Sequence, residues 1–121
     1  MNFWLDSQNE LVDEFPPAQF YGKFSEAPAD VPTYGDSVWV GSWPDGNDRA
    51  PDDFKGAGYG GSGFAHTRGQ FMGRFALNRH SGGINICFTD GHAAKVNVKS
   101  LWSVNWHRDF EPNLNVKWPV Q

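Results

Sequence analysis

His80 and Asp90 are two side chains whose types and spacing could serve one chemical task. A histidine beside a carboxylate can act as a general base whose ring the carboxylate orients. No serine or cysteine with a nucleophile signature accompanies them, so triad chemistry has little support. The strong turn signal favours an alternative interpretation in which both residues are structural. His80 would then tie the chain to neighbouring backbone, and Asp90 would shape its own turn.

A dense group of oxygen-bearing side chains lies near the middle of the chain: Asp45, Asn47, Asp48, Asp52 and Asp53. Calcium takes about six to eight oxygen ligands and tolerates irregular loops, so this group predicts a calcium site. The spacing does not match the EF-hand pattern, because no glutamate stands at the required distance. The alternative is a solvated loop, since Asp, Asn, Gly and Pro are ordinary turn residues.

A calcium ion in this loop would also permit hydrolysis. The ion could polarise an ester, lactone or glycosidic bond, while Asp52 and Asp90 act as a paired acid and base. The candidate catalytic residues are therefore His80, Asp90 and Asp52. Nothing in the sequence places these groups together, so a small calcium-dependent hydrolase is an alternative function.

Trp43 and the histidines offer two further possibilities. An exposed Trp43 could stack on a sugar ring, which would make the chain a carbohydrate-binding module. The alternative is that Trp43 packs in the core or against another subunit, because a small domain has few other large apolar groups to bury. The histidines lack the usual spacing of zinc or copper ligands; they are His66, His80, His92 and His107.

The elements that position these residues belong to one small domain. A chain of 121 residues suits a single domain, and 14 Gly with 8 Pro predict many turns around a modest sheet. The net charge of −4 argues against nucleic-acid binding. Cys87 is the single cysteine, which excludes an intrachain disulfide. No apolar run is long enough to span a membrane, and no signal peptide is visible.

The sequence predicts an α+β fold with an antiparallel sheet of about four strands. Its main feature is a β-hairpin in which residues 84–89 and 92–98 are joined by a two-residue turn at Asp90-Gly91. Such a turn would pair Cys87 with Ala94. One face of the first strand would then point into the core, with the side chains of Ile84, Ile86 and Phe88.

The rest of the chain predicts shorter elements around this hairpin. A long acidic, glycine-rich loop runs through residues 41–69. One or two helical turns follow a cap at Ser100. A short helix is predicted within residues 1–15, and short strands are predicted at residues 19–24, 37–40 and 71–77.

His80, nine further residues and then Asp90-Gly91 have the spacing of the H-x9-D-G signature. Residues around the signature extend the match. Next to it or within it are Arg79, Gly82-Gly83, Asn85, Phe88 and His92, and further downstream are Leu101-Trp102, Trp106-His107-Arg108 and Phe110. Upstream are Val31-Pro32-Thr33, Asp36, Trp39 and Trp43-Pro44. Over residues 31–110 the chain resembles the C-terminal region of prepilin-like proteins, the pseudopilins related to type II secretion.

This resemblance implies that the chain is a pseudopilin-like globular head facing the periplasm or the cell surface. Its partners would be other pseudopilin-like subunits or surface glycans, and calcium would order the acidic loop, as it does in major pseudopilins. The single domain, residues 1–121, would consist of an N-terminal segment at 1–30 and the head region at 31–110. The leader and long hydrophobic helix of such proteins are not in this sequence, so we expect a trimmed head or a gene without its anchor.

Overall fold

The computed structural model describes residues 1–5, 19–21, 24–55 and 69–118. These residues contain one antiparallel sheet of three strands in the order β1-β2-β3. Its strands are β1 (Pro32–Gly35), β2 (Gly83–Phe88) and β3 (Ala93–Asn97). The named helices of this part are short 3-10 helices: Phe3–Leu5, Phe24–Glu26, Phe71–Arg74 and Val98–Ser103. The arrangement agrees with a small α+β fold.

The pairing between β2 and β3 is offset by one residue from the predicted pairing. Cys87 lies opposite Ala93 rather than Ala94. The buried face of β2 is nevertheless the predicted one, because Ile84 and Ile86 are fully buried. The side-chain period of a strand therefore identified the core face, while the register depended on the details of the turn.

The turn between the hydrogen-bonded pair Phe88 and His92 has three residues, 89–91, rather than two. Phe88 N donates to His92 O (2.9 Å), and Gly91 N donates to Phe88 O (2.9 Å). Gly91 has a φ of 88°, but Asp90 does not have a positive φ, and a two-residue type I′ turn requires one at both positions. The longer loop lets the partly buried Phe88 ring stack on His92, with centroids 4.5 Å apart.

The strand predicted at residues 37–40 is wrong, and β1 lies earlier in the chain. Residues 37–40 contain bends, whereas β1 begins at Pro32 and ends at Gly35. These two residue types disfavour strands, although proline is tolerated at the first position of an edge strand. The pairing of β1 with β2 shifts near Thr33, whose Oγ1 donates to Cys87 O (2.9 Å).

The strand predicted at residues 71–77 is also wrong. This stretch forms the 3-10 helix Phe71–Arg74 and then continues without regular structure. All seven residues are buried, so no alternation between an inner and an outer face exists for a strand prediction to detect. The Asp48 carboxylate accepts a hydrogen bond from Met72 N (2.8 Å), so a side chain rather than a neighbouring strand satisfies this backbone group.

The predicted helical segment near Ser100 exists, but it begins earlier. The 3-10 helix Val98–Ser103 is capped by Asn97, whose side chain accepts a hydrogen bond from Lys99 N (2.9 Å). Ser100 therefore lies inside the helix rather than at its cap. Trp102 within this helix is fully buried.

The N-terminal predictions fall largely outside the described residues. Of residues 1–15, the helix Phe3–Leu5 is described, and residues 6–15 are not among those described. Of residues 19–24, the described ones form no strand, and Phe24 begins a 3-10 helix.

The main core packs against the inner face of the sheet. The core consists of aromatic and aliphatic side chains from many short segments; the largest fully buried ones in its main cluster are Trp4, Met72, Phe75, Leu77, Ile84, Ile86, Leu101, Trp102 and Trp106.

No helix in the described part of the chain is long and apolar enough to cross a membrane.

The turn at Gly91 gives a direct test of this hairpin. Gly91→Ala should lower the free energy of unfolding by about 1 to 2 kcal/mol, because a side chain disfavours left-handed backbone. An added Cβ would meet nothing within 4 Å, so the cost comes from the backbone alone. Gly91→Asn should cost less, since Asn tolerates this conformation better. Chemical denaturation measures both variants, and equal losses would contradict the turn geometry.

Candidate functional site

The segment around the predicted calcium loop is packed into the protein rather than solvated. Trp43, expected to be exposed, is only 3% exposed. Its ring lies 4.8 Å from the Phe3 ring and 5.4 Å from the Phe71 ring, measured between centroids. The prediction that Trp43 forms an exposed sugar platform is therefore wrong, and the alternative of core packing is confirmed.

Asp48 holds this segment in place from inside the protein. Its side chain is almost fully buried, and Oδ2 accepts hydrogen bonds from Asp45 N (3.0 Å) and Met72 N (2.8 Å). Its carbonyl oxygen accepts a hydrogen bond from Trp102 Nε1 (2.6 Å). Burial raises the pKa of the Asp48 carboxyl to about 7, although the two backbone donors act in the opposite direction.

Asp45 is paired with a histidine that lies far away in the sequence. His107 Nε2 lies 3.2 Å from Asp45 Oδ1, and His107 Nδ1 lies 2.7 Å from Arg108 O. The hydrogen bond with His107 lowers the pKa of Asp45, and partial burial opposes this effect. The two ring nitrogens of His107 thus contact the Asp45 carboxyl group and the Arg108 carbonyl oxygen. Sequence spacing gave no signal for this contact.

Three of the five predicted metal ligands line one cavity of about 230 Å³: Asp45, Asn47 and Asp48. The other described residues that line it are three aromatic residues, one amide and one glycine: Trp4, Trp43, Phe71, Gln19 and Gly69. Asp45 and Asp48 thus stand beside an aromatic wall. In this cavity a buried titratable group with a displaced pKa, Asp48, meets an open space, which is the pattern of a binding site. Asn47 and Asp48 also line a second, larger groove.

The other two predicted ligands have separate partners. Asp52 lies 3.5 Å from Arg49 in an exposed ion pair, and Asp53 accepts a hydrogen bond from Lys55 N (2.8 Å). Asp52 lines a larger groove of about 620 Å³ together with Trp118. Among the described residues, no group of three or more His, Cys, Asp or Glu side chains is placed to hold a metal ion.

The candidate catalytic residues are not brought together. His80 Nε2 lies 2.9 Å from Asp36 Oδ2, whereas Asp90 pairs with His92 in the turn. His80 and Asp90 flank opposite ends of β2, whose six residues span roughly 17 Å. Asp52 is paired with Arg49. Asp90 shapes its own turn, as the structural interpretation expected, whereas the His80 side chain contacts the Asp36 carboxylate rather than neighbouring backbone.

Each histidine of the described residues has its own carboxylate partner. His80 is paired with Asp36, His92 with Asp90 and His107 with Asp45. His66 lies outside the described residues.

Comparisons of the chain with protein-family models, with curated proteins and with solved structures found no match. The function is therefore inferred from the chain's own residues and their contacts.

The buried Asp48 carboxyl should make stability depend on pH. Its pKa rises on folding from 3.8 to about 7, so the folded chain keeps a proton that the unfolded chain has lost between these values. The contribution to stability is complete below about pH 4 and is lost as pH rises through 7. A shift of roughly three units corresponds to at most about 4 kcal/mol.

Thermal and chemical unfolding between pH 4 and 8 can measure this effect in Asp48→Asn, which keeps an acceptor oxygen but cannot ionise. The difference in unfolding free energy between the wild-type chain and this variant should fall with rising pH. The exposed Asp52→Asn variant serves as the matched control and should follow the wild-type profile. Parallel profiles for all three proteins would contradict the assignment.

Proposed function

We propose that this chain is the globular head of a pseudopilin-type protein that acts in assembly or adhesion at the cell envelope. The proposal begins with the resemblance over residues 31–110. It is supported by the contacts among the separate stretches that carry this resemblance. The observation on which it depends most is the pairing of Asp36, from the upstream stretch, with His80 of the signature, 2.9 Å apart.

The upstream stretch is joined to the signature along the length of β2. Asp36 Oδ2 also accepts a hydrogen bond from Asn85 N (2.9 Å), and Asp36 N donates to Asn85 O (3.1 Å). At the other end of the strand, Thr89 N donates to Val31 O (2.9 Å). The signature histidine thus stands at one end of a paired strand and the signature turn at the other.

The downstream stretch is joined to the segment that follows Trp43. Trp102 Nε1 donates to Asp48 O, and His107 contacts Asp45. Trp4 Nε1 donates to Pro44 O (2.7 Å), which fixes the N-terminal residues to the same segment. Polar groups in the resembling stretches therefore connect one part of the chain to another. Such use favours a scaffold that presents a surface over a catalyst.

The two alternative functions have less support. A hydrolase requires its acid, base and metal to surround one reacting atom, and His80, Asp90 and Asp52 have separate partners. A carbohydrate module based on Trp43 lacks an exposed ring at that position. Calcium binding stays a prediction, now limited to Asp45, Asn47 and Asp48.

A chimera can test the proposed role. The chain would be fused behind the processed hydrophobic helix of a major pseudopilin and produced in cells that carry a type II secretion system. We expect the chimera to be cleaved by the prepilin peptidase and recovered in sheared surface filaments. Immunoblotting of the sheared fraction, with crosslinking to neighbouring subunits, measures incorporation.

A chimera carrying an unrelated domain of similar size is the matched control and should remain in the membrane fraction. Protease resistance of the head would establish that each chimera is folded. If a folded and cleaved chimera stays out of the filaments as the control does, the proposed assembly role is wrong.

A further inference from the structure

The cavity beside Asp48 combines two kinds of wall. Trp4, Trp43 and Phe71 provide aromatic surface, and all three rings are otherwise buried. The rings are held in place by other aromatic groups: Trp4 lies 4.9 Å from Phe20, measured between centroids, and Trp43 packs on Phe71. The aromatic wall is therefore fixed before any ligand enters, which reduces the entropic cost of binding.

The second wall carries the carboxyl groups of Asp45 and Asp48, and the described lining residues include no Lys or Arg beside them. The hydrogen bonds that Asp48 accepts from described residues fall on Oδ2, which leaves Oδ1 without a donor among them. Asp45 is contacted by His107, whose ring packs against Trp4 with centroids 4.7 Å apart. A buried carboxylate without a counter-ion is costly, and a cation in the cavity would offset that cost.

Two arginines of the described residues, Arg49 and Arg74, each have a contact outside the cavity lining. Arg49 pairs with Asp52 at the surface. Arg74 donates to Gly41 O (3.0 Å), and its guanidinium lies 4.8 Å from the centroid of the Phe71 ring. The described residues that line the cavity include no Lys, Arg or His. The charged side chains among the described lining residues are therefore the two carboxyl groups of Asp45 and Asp48.

We propose that this cavity binds a small organic ammonium ion, with Trp4 and Trp43 as its aromatic wall and with Asp45 and Asp48 as its counter-charges. Aromatic rings attract ammonium groups through their negative faces, and pockets of aromatic rings are a known means of recognising quaternary ammonium ions. The volume of about 230 Å³ is small, so it limits the ligand to a few heavy atoms. This binding site is independent of the proposed role in assembly.

The donor set favours an ammonium ion over calcium. Calcium prefers about six to eight oxygen ligands, whereas the described lining residues offer two carboxylates and the side-chain amides of Asn47 and Gln19. The described lining also includes three aromatic rings, and aromatic rings suit weakly hydrated organic cations rather than a hard ion. Calcium is therefore the competing outcome of the test.

Choline and its neutral isostere 3,3-dimethyl-1-butanol form a matched pair of probes. Choline should raise the melting temperature in a concentration-dependent manner, because a ligand of the folded state stabilises it. It should also change tryptophan fluorescence. The neutral isostere should bind at least about tenfold more weakly, since it lacks the charge on which the cation–π and carboxylate contacts depend.

Two variants locate the site. Asp48→Asn should weaken choline binding by about tenfold or more, while Asp52→Asn, outside this cavity, should bind as the wild-type chain does. Trp43→Leu is a second test if it folds, as circular dichroism can establish, and it should weaken choline more than the neutral isostere.

Three results would overturn the proposal. Equal affinities for choline and its neutral isostere would show that charge is not recognised. Choline binding that Asp48→Asn leaves unchanged would place the site elsewhere. Stabilisation by calcium chloride that depends on Asp48, together with no response to choline, would assign the cavity to a metal ion instead.

Discussion

The structure depends most on one buried carboxylate. Asp48 Oδ2 accepts hydrogen bonds from Asp45 N and Met72 N, and the Asp48 carbonyl accepts one from Trp102 Nε1. These bonds connect three segments that share no strand pairing. A small sheet with short 3-10 helices offers few backbone ladders, so side-chain to backbone bonds must organise much of the chain. Leaving their donors without a partner inside the core would cost more than each bond contributes.

The two ends of β2 are organised by similar means. At one end the Asp36 carboxylate accepts a hydrogen bond from Asn85 N and contacts His80 Nε2. At the other end the Asp90 carboxylate accepts a hydrogen bond from His92 N. In both places a side-chain carboxylate accepts a backbone N–H hydrogen bond that a backbone carbonyl would otherwise accept. The spacing between His80 and Asp90 therefore reflects the length of one strand and its loop. A fixed distance in the sequence can thus encode a structural unit without bringing its two marked residues into contact.

Local sequence signals predicted some features and not others. The alternation of Ile84 and Ile86 identified the buried face of β2, because a strand with one buried face has a period of two. The strand at residues 71–77 was mispredicted, and for Trp43 the sequence left exposure and core packing as alternatives. Both lie under segments distant in sequence, and burial there comes from tertiary packing. The five predicted metal ligands divided for a related reason. The five residues are close in the sequence, but the Asp48 side chain is buried and bonded to Met72 N, whereas the Asp52 side chain is exposed and paired with Arg49.

The exposure of β3 has a consequence for how copies of this protein can meet. Most of β3 is exposed, and among the described strands it has a neighbour, β2, on one side only. Unpaired backbone groups along such a margin invite lateral strand addition by another molecule. Lys95 lies in the middle of this strand, and a lysine at that position discourages such addition because its charge would have to be desolvated. Ordered contacts between neighbouring molecules would therefore form through other surfaces, because Lys95 disfavours strand addition at the β3 edge.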